Sequence, residues 1–390
     1  MNSRERFLRI MDGDTSIRTM KWEFGYWAGT LMRWHGEGLE RVKNTVSEEH
    51  DYELSCAGGA MPAPELDRPV DYDVADAMGL DPGFRRVPVE HWYYPHFNDE
   101  VIEESEHDML VIDADGKKKR VLKGGGSMPQ FVGFPVESRE DWEKIKLRLD
   151  PDTPGRFPDN WDEIVKELNE RDYPLALGGL PFGFCGCLRE LMGFENSMMM
   201  FYEDPELVQD ILDHLVDFWY RLYSKVLEDV TADYVLFWED MSYKAGPMID
   251  PNLFRKLMVP CYQKMISLFR SKGIKNFFVD TDGMCMSLIE PLMEGGVTGL
   301  LPFEGNAGMD VEVVAEMYPD LCMMGGIDKM FLINHEHDKL EEVLTKKIPK
   351  VLKRGKYVPF IDHLVPPETS WEEFKAYRTK LNEIIDQCVF

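Results

Sequence analysis

The chain has 390 residues and a formal charge of −27, from 71 Asp and Glu against 44 Lys and Arg. So acidic a surface repels nucleic-acid phosphates and anionic membrane surfaces, which excludes both as principal partners. The length admits one large α/β barrel or two ordinary domains.

The first ten residues, Met1-Asn-Ser-Arg-Glu-Arg-Phe-Leu-Arg-Ile10, are charged from the start and lack the apolar stretch of a secretory signal. No later run reaches the roughly 20 apolar residues of a membrane span. Seven cysteines (56, 185, 187, 261, 285, 322 and 388) form an odd set without a Cys-x-x-Cys pair. A reduced, cytoplasmic protein is the expectation.

Residues 1 to about 170 are irregular and rich in Pro, Gly and aromatic residues. They hold one clear β-hairpin, Met109-Leu-Val-Ile-Asp113 and Lys119-Arg-Val-Leu122 around the turn Asp115-Gly116. From about 174 onward strands alternate with helices. Pro174-Leu-Ala-Leu-Gly-Gly-Leu180 reads as a strand, and Asp204-Pro205 supplies an N-cap and a first-turn proline for a long helix with Leu207, Ile211, Leu215, Trp219 and Leu222 on one face. Val235-Leu-Phe-Trp-Glu-Asp240 is a strand ending in two acids, and Asp250-Pro251 opens a helix that stops at Gly273. Asn276-Phe-Phe-Val-Asp-Thr-Asp-Gly283 ends the same way. Thr298-Gly-Leu-Leu-Pro-Phe303, Asp320-Leu-Cys-Met-Met-Gly-Gly326 and Tyr357-Val-Pro-Phe-Ile-Asp-His363 are the later strands, and Ser370-Trp-Glu-Glu373 is a capping box for the last helix.

An apolar strand needs no acid, so polar groups on several strand ends point to chemistry. Strand ends near 238, 282, 303, 326 and 362 leave room for a helix between each pair and make every crossover parallel. A barrel gathers all its strand C-termini around one mouth, which favours a (β/α)8 TIM barrel over a doubly wound sheet. No Gly-x-Gly-x-x-Gly follows a strand, so dinucleotide binding loses its main support. The expected organisation is one domain over 1–390, with an irregular N-terminal extension and the first barrel part in 1–170 and the remaining βα units in 171–390.

Trp22-Glu-Phe-Gly-Tyr-Trp27, Leu188-Arg-Glu-Leu-Met-Gly-Phe-Glu195, Phe237-Trp-Glu-Asp-Met241, Val279-Asp-Thr-Asp-Gly283, Gly325-Gly-Ile-Asp-Lys329 and Asp362-His-Leu-Val-Pro-Pro-Glu368 together resemble the uroporphyrinogen decarboxylase superfamily. The resemblance implies a distorted (β/α)8 barrel with an N-terminal extension. It covers haem-pathway decarboxylases and corrinoid-dependent methyltransferases. The decarboxylases hold the porphyrinogen carboxylates with an Arg-Gln-Ala-Gly-Arg segment near the N-terminus. Here the corresponding stretch is Lys21-Trp-Glu-Phe-Gly-Tyr-Trp27, aromatic and acidic, which disfavours a tetrapyrrole with eight carboxylates.

Thiol-methylating members bind zinc through His-x-Cys at one strand end and a Cys near a later one. Laid on this chain, those positions fall at Asp280 and Asp282 and close to Asp362 or His363, so oxygen and nitrogen replace sulfur. Such a set leaves a metal a harder Lewis acid and puts thiol methylation in doubt. The expected zinc ligands are Glu239, Asp282 and His363, with Asp240, Asp280 and Cys322 as alternates. Each acid, taken singly, competes with the ordinary reading of a helix N-cap or an ion pair. Asp280 and Asp282 share one side of an extended strand, so one can support the other from behind. His335-x-His337 has the spacing of a metal pair but lies in the polar stretch Asn334-His-Glu-His-Asp-Lys339 and reads as a solvated helix start. Cys185-x-Cys187 reads as a pocket wall.

Trp22, Phe24, Tyr26, Trp27, Phe182 and Phe184 are expected to line a flat apolar pocket for an aromatic substrate, against the blander reading of core packing. The reading that joins these parts is a zinc-dependent methyltransferase (O-demethylase component). It takes a methyl group from a methoxylated aromatic or similar small donor and gives it to the Co(I) of cobalamin on a separate corrinoid protein, with Tyr243 and Arg189 orienting the donor. No Asp-x-His-x-x-Gly cobalamin motif is present, so the corrinoid must arrive on a partner. A homodimer is allowed. The alternative is a metal-independent decarboxylase of a small carboxylic acid or porphyrinogen-like substrate, with Asp282 stabilising a protonated intermediate.

Overall fold

The computed structural model describes residues 1–42, 62–63, 68–69, 72–123 and 129–390; Cys56 and His50 lie outside these. Seven strands form one parallel, curled sheet in chain order: β1 (Arg85–Arg86), β2 (Leu175–Gly178), β3 (Tyr234–Trp238), β4 (Asn276–Asp280), β5 (Gly299–Leu301), β6 (Cys322–Met324) and β7 (Tyr357–Val358). Sequential parallel neighbours with a helical crossover between them are what the βα repeat demands. The resulting architecture is mixed α/β and compatible with a TIM-like barrel.

Alternation along these strands separates two cores. Tyr234, Leu236, Phe278, Leu301, Met324 and Val358 point to the concave face, where they join Phe7, Trp22, Phe24 and Phe360. Val235, Phe237, Phe277, Val279, Leu300 and Met323 point outward and pack beneath the helices. Those helices begin where local chemistry dictates. The Asp204 side chain caps α3 (Pro205–Asp229) by accepting from Leu207 N, and Asp250 caps α4 (Pro251–Ser271) through Asn252 N and Leu253 N. Ser370 caps α5 (Trp371–Gln387).

The segment Thr19–Trp27 runs between the two edges of the sheet. Tyr26 bridges Val365 in parallel register, the Thr19 hydroxyl donates to Tyr357 O at 2.6 Å, and Asp81 N donates to Lys21 O at 3.0 Å. Its Glu23 is buried and spans to the C-terminal helix: one oxygen accepts from Ile361 N at 2.8 Å, the other from Tyr377 Oη at 3.2 Å and from Arg378 at 3.4 Å.

Outside the sheet, Asp108–Ile112 and Lys118–Leu122 pair antiparallel as the middle strands of a four-stranded sheet completed by Glu100–Glu104 and Gln130–Gly133. Lys117, next to that turn, is buried against Glu190 of α2 (Cys185–Met192), with Nζ and the carboxylate 2.5 Å apart. Among the described residues, no helix is long and apolar enough to cross a membrane.

Candidate active site

Polar groups leave the C-terminal ends of β3 to β7 on one rim, but they divide into two sets. Glu239, directly after β3, is fully buried (0% exposed) and turned toward α2. Its oxygens accept from Phe184 N at 2.8 Å, Gly186 N at 2.9 Å and the Tyr262 hydroxyl. The carboxyl is pushed up by burial, against the pull of these donors. A carboxylate spent on the free amides of a helix start is a cap. Glu239 is thus turned beneath the start of α2, on the other side of the strand end from Asp282 and His363.

The next residue does face the rim. Asp240 adopts φ +44°, a left-handed backbone at the end of the strand, and its side chain lies on the opposite side from that of Glu239. Arg189 of α2 holds it, with Nη1 2.5 Å from the carboxylate Oδ2 and 2.8 Å from its carbonyl oxygen, while the guanidinium lies 5.0 Å over the Trp238 ring. After β4, Asp282 faces His363 from beyond β7. Nε2 of His363 is 3.3 Å from Oδ2 of Asp282, and the two side chains are 26% and 30% exposed, respectively. Burial raises the carboxyl of Asp240; the Arg189 cation pulls it back down and the neighbouring Asp282 pushes it further up. Asp280, buried at the end of β4, is raised well above the ordinary range by burial, then by Asp282 and Asp240, with Arg86 of β1 opposing. Arg86 has room because Gly179 lacks a side chain: a Cβ there would lie 2.4 Å from the guanidinium carbon.

The rest of the rim is braced by backbone. Gly283 N donates to Glu304 Oε2 at 2.9 Å, Lys329 Nζ lies 3.4 Å from Glu304 Oε1, and Asp362 accepts from Lys329 N at 3.0 Å and Gly305 N at 2.8 Å. Gly283, at φ +74°, admits no side chain, since a Cβ would lie 2.5 Å from Ser242 O. Burial pushes the Asp362 carboxyl up to about 7. Phe24 closes one side, its ring 5.2 Å from that of His363 and 6.2 Å from Phe360.

Of the remaining predicted residues, several lie elsewhere. Cys322 opens β6 rather than ending it. It is buried at the opposite end of the strand from the rim, with its thiol 3.6 Å from Met11 O, and burial pushes the thiol up to about 11. Trp22 lies deep in the concave core against Phe7 and Phe84, with Nε1 bonded to Pro82 O. Tyr26 packs on Trp34 and Phe374, and half-buried Trp27 precedes the helix Ala28–Gly36. Phe182 and Phe184 are core residues stacked among Trp219, Phe237 and Tyr262. Trp22, Tyr26, Phe182 and Phe184 are thus buried in the core. Tyr243 is 70% exposed on the short hairpin Ser242–Pro247. Arg86, Glu304 and Lys329 were not singled out from the sequence, although Glu304 follows a strand in the same way as the acids that were.

Three carboxylates, Asp240, Asp280 and Asp282, thus stand against two guanidinium groups, and burial together with the neighbouring acids raises Asp240 and Asp280. That surplus of negative charge lies beside the open imidazole of His363, although Asp240, Asp282 and His363 do not bring one ligand atom each within 4.8 Å of the others.

A methyltransferase from Methanosarcina mazei aligns over 99% of this chain and 99% of its own at 14% identity, with a TM-score of 0.57, a likeness of fold. The B12-independent methionine synthase from Shewanella sp. W3-18-1, in complex with selenomethionine, covers 82% of this chain and 85% of its own at 11% identity and TM-score 0.38, too low to carry weight. No curated protein sequence gives a significant match. The family model "Uroporphyrinogen decarboxylase (URO-D)" matches residues 108–383, which takes in the rim from Arg189 to His363. The chain belongs to the uroporphyrinogen decarboxylase family.

Proposed function

We propose that this chain is a methyltransferase that moves a methyl group from a methoxylated aromatic, or a similar small donor, to the Co(I) of a corrinoid protein, with zinc at the rim. The observation that carries the reading is the Asp282–His363 pair beside Asp240: open, acidic and rich in nitrogen and oxygen donors. A substrate with many carboxylates would meet repulsion there. Asp282 and His363 would hold the ion, with Asp240 adding negative charge nearby, and the ion when bound would supply Lewis acidity toward the donor's ether oxygen.

The remaining work falls to the chain. Arg189 keeps Asp240 turned to the rim, and Phe24 offers an aromatic face beside His363. Asp362 fixes the backbone ahead of His363 by tying it to the β5 and β6 loops. The corrinoid protein is a substrate that must approach over the strand ends. Thr19–Trp27 takes the eighth place of a (β/α)8 barrel in this reading, and residues 1–390 act as one domain.

The test mixes purified zinc-loaded protein with cob(I)alamin and a panel of methoxybenzenes and follows methylcobalamin by absorbance. Donor-dependent formation is expected. Carbon dioxide release from small acids without corrinoid or metal would instead support decarboxylation, for which Arg86 and Arg189 would be the carboxylate anchors.

A further inference from the structure

We propose that His335, His337 and Glu373 form a second binding site, for a divalent transition-metal ion of the zinc type, that clips the turn after Ile333 to the first turn of α5. One ligand atom from each of the three lies within 4.8 Å of the others, and among the described residues this is the one group of His, Cys, Asp and Glu side chains that meets that spacing. Two imidazoles and a carboxylate are a common donor set for zinc, with the fourth position left to water.

The geometry comes from two separate elements. His335 adopts φ +55°, a backbone conformation unfavourable for a residue with a side chain, and the turn brings its Nδ1 onto Glu373 Oε1. His337 begins the short helix His337–Glu342, its ring centroid 6.3 Å from that of His335. Glu373 belongs to α5 and is held in place: its other oxygen accepts from the Ser370 hydroxyl at 3.1 Å, and its side chain is 15% exposed. An ordering hydrogen bond on the far oxygen of a ligating carboxylate is a usual companion of metal sites. A plain ion pair between His335 and Glu373 would not need His337 alongside. A cleft of about 400 Å³, lined by His337, Leu340, Tyr377 and Lys380 among others, leaves the site open to solvent. The site shares no residue with the rim around Asp282. The helix it would anchor is the one whose Tyr377 and Arg378 reach Glu23.

The test is calorimetric titration of ZnCl2 into full-length Asp282→Asn/His363→Ala protein, in which the rim is silenced, so its result does not depend on the methyltransferase reading. One equivalent of zinc should bind. Adding His335→Ala and His337→Ala should weaken that binding at least about tenfold, and Ser370→Ala should weaken it without abolishing it. Co2+ loading should give visible absorption that the two histidine substitutions remove. Circular dichroism confirms the fold of each variant. Absence of saturable binding in a folded rim variant, or zinc and cobalt binding unchanged by loss of both histidines, would overturn the proposal.

Discussion

His363 Nε2 sits 3.3 Å from Asp282 Oδ2, joining the ends of two strands that are not neighbours in the sheet. Two strands separate β4 from β7, so only the curl of the sheet brings these side chains face to face. The pair is therefore a reporter of barrel curvature as well as a place for chemistry.

Asp282→Asn should abolish zinc binding at the rim and lower methyl transfer by at least about 100-fold, while the melting temperature moves by only a few degrees, because a partly exposed strand-end side chain supports little of the core. Metal analysis together with thermal denaturation checks this. In a protein that also carries the His335 site, the expected change is loss of one zinc of two. Full rim occupancy with normal turnover would show that Asp282 is an ordinary loop carboxylate.

Glu239→Ala should behave in the opposite way. Removing it strands the Phe184 and Gly186 amides and the Tyr262 hydroxyl in a buried place, at a cost on the order of 1–3 kcal/mol for each group left unpaired. Urea unfolding should show a large fall in stability, with rim zinc stoichiometry retained in the fraction that stays folded. Loss of the metal with unchanged stability would return Glu239 to the ligand set.

Arg378→Ala leaves Glu23 buried beside Tyr377 without its cation, and about 3–5 kcal/mol of destabilisation is expected. Glu23 is already raised by burial, with Arg378 the strongest influence pulling it down. The double variant Glu23→Gln/Arg378→Met should recover much of the loss, because it removes both charges at similar volume. Chemical denaturation of the three proteins measures the coupling; additive effects would dismiss it.

Asp362 should give stability a pH dependence of uncommon sign for a carboxyl. Its folded value is about 7 against an unfolded value near 3.8, so the folded state binds the proton more tightly in between. With more protons bound in the folded than the unfolded state, stability falls as pH rises from about 4 to about 7 and is level above. Asp362→Asn should flatten that part of the curve. An identical pH slope in wild type and variant would remove Asp362 as its source.

Much of the fold was legible because the strand runs are apolar and short, and Asp250 and Ser370 cap the helices that follow β3 and β7. Where reading stopped, the reason was local. Alternation does separate Glu239 from Asp240: continued from outward Val235 and Phe237 it puts Glu239 beneath the helices, and from inward Leu236 it puts Asp240 on the rim side, but which face was inward could not be read from the strand alone. Within the run Asp320-Leu-Cys-Met-Met-Gly-Gly326 the sequence does not reveal that the strand starts at Cys322 itself, which puts that residue at the far end from the rim. Trp22 and Phe24 lie on one face of an extended segment but at different depths, and depth along a barrel axis leaves no mark in sequence. Phe182 and Phe184 look no different as core than as pocket. Arg86 was hidden by a strand only two residues long.

The segment Thr19–Trp27 meets its partners at sequence separations of 338, from Thr19 to Tyr357 and from Glu23 to Ile361, and up to 365, from Lys21 to Asp386. Closing so long a loop costs chain entropy that nothing nearby in sequence offsets at once, so this seam is expected to form late in folding. Phe24 and His363 come together across it. An emerging polypeptide can build β2 to β6 and their helices with no rim completed on the His363 side. The same seam is where the finished molecule would open first under mild stress, parting Phe24 from His363 while the sheet beneath stays paired.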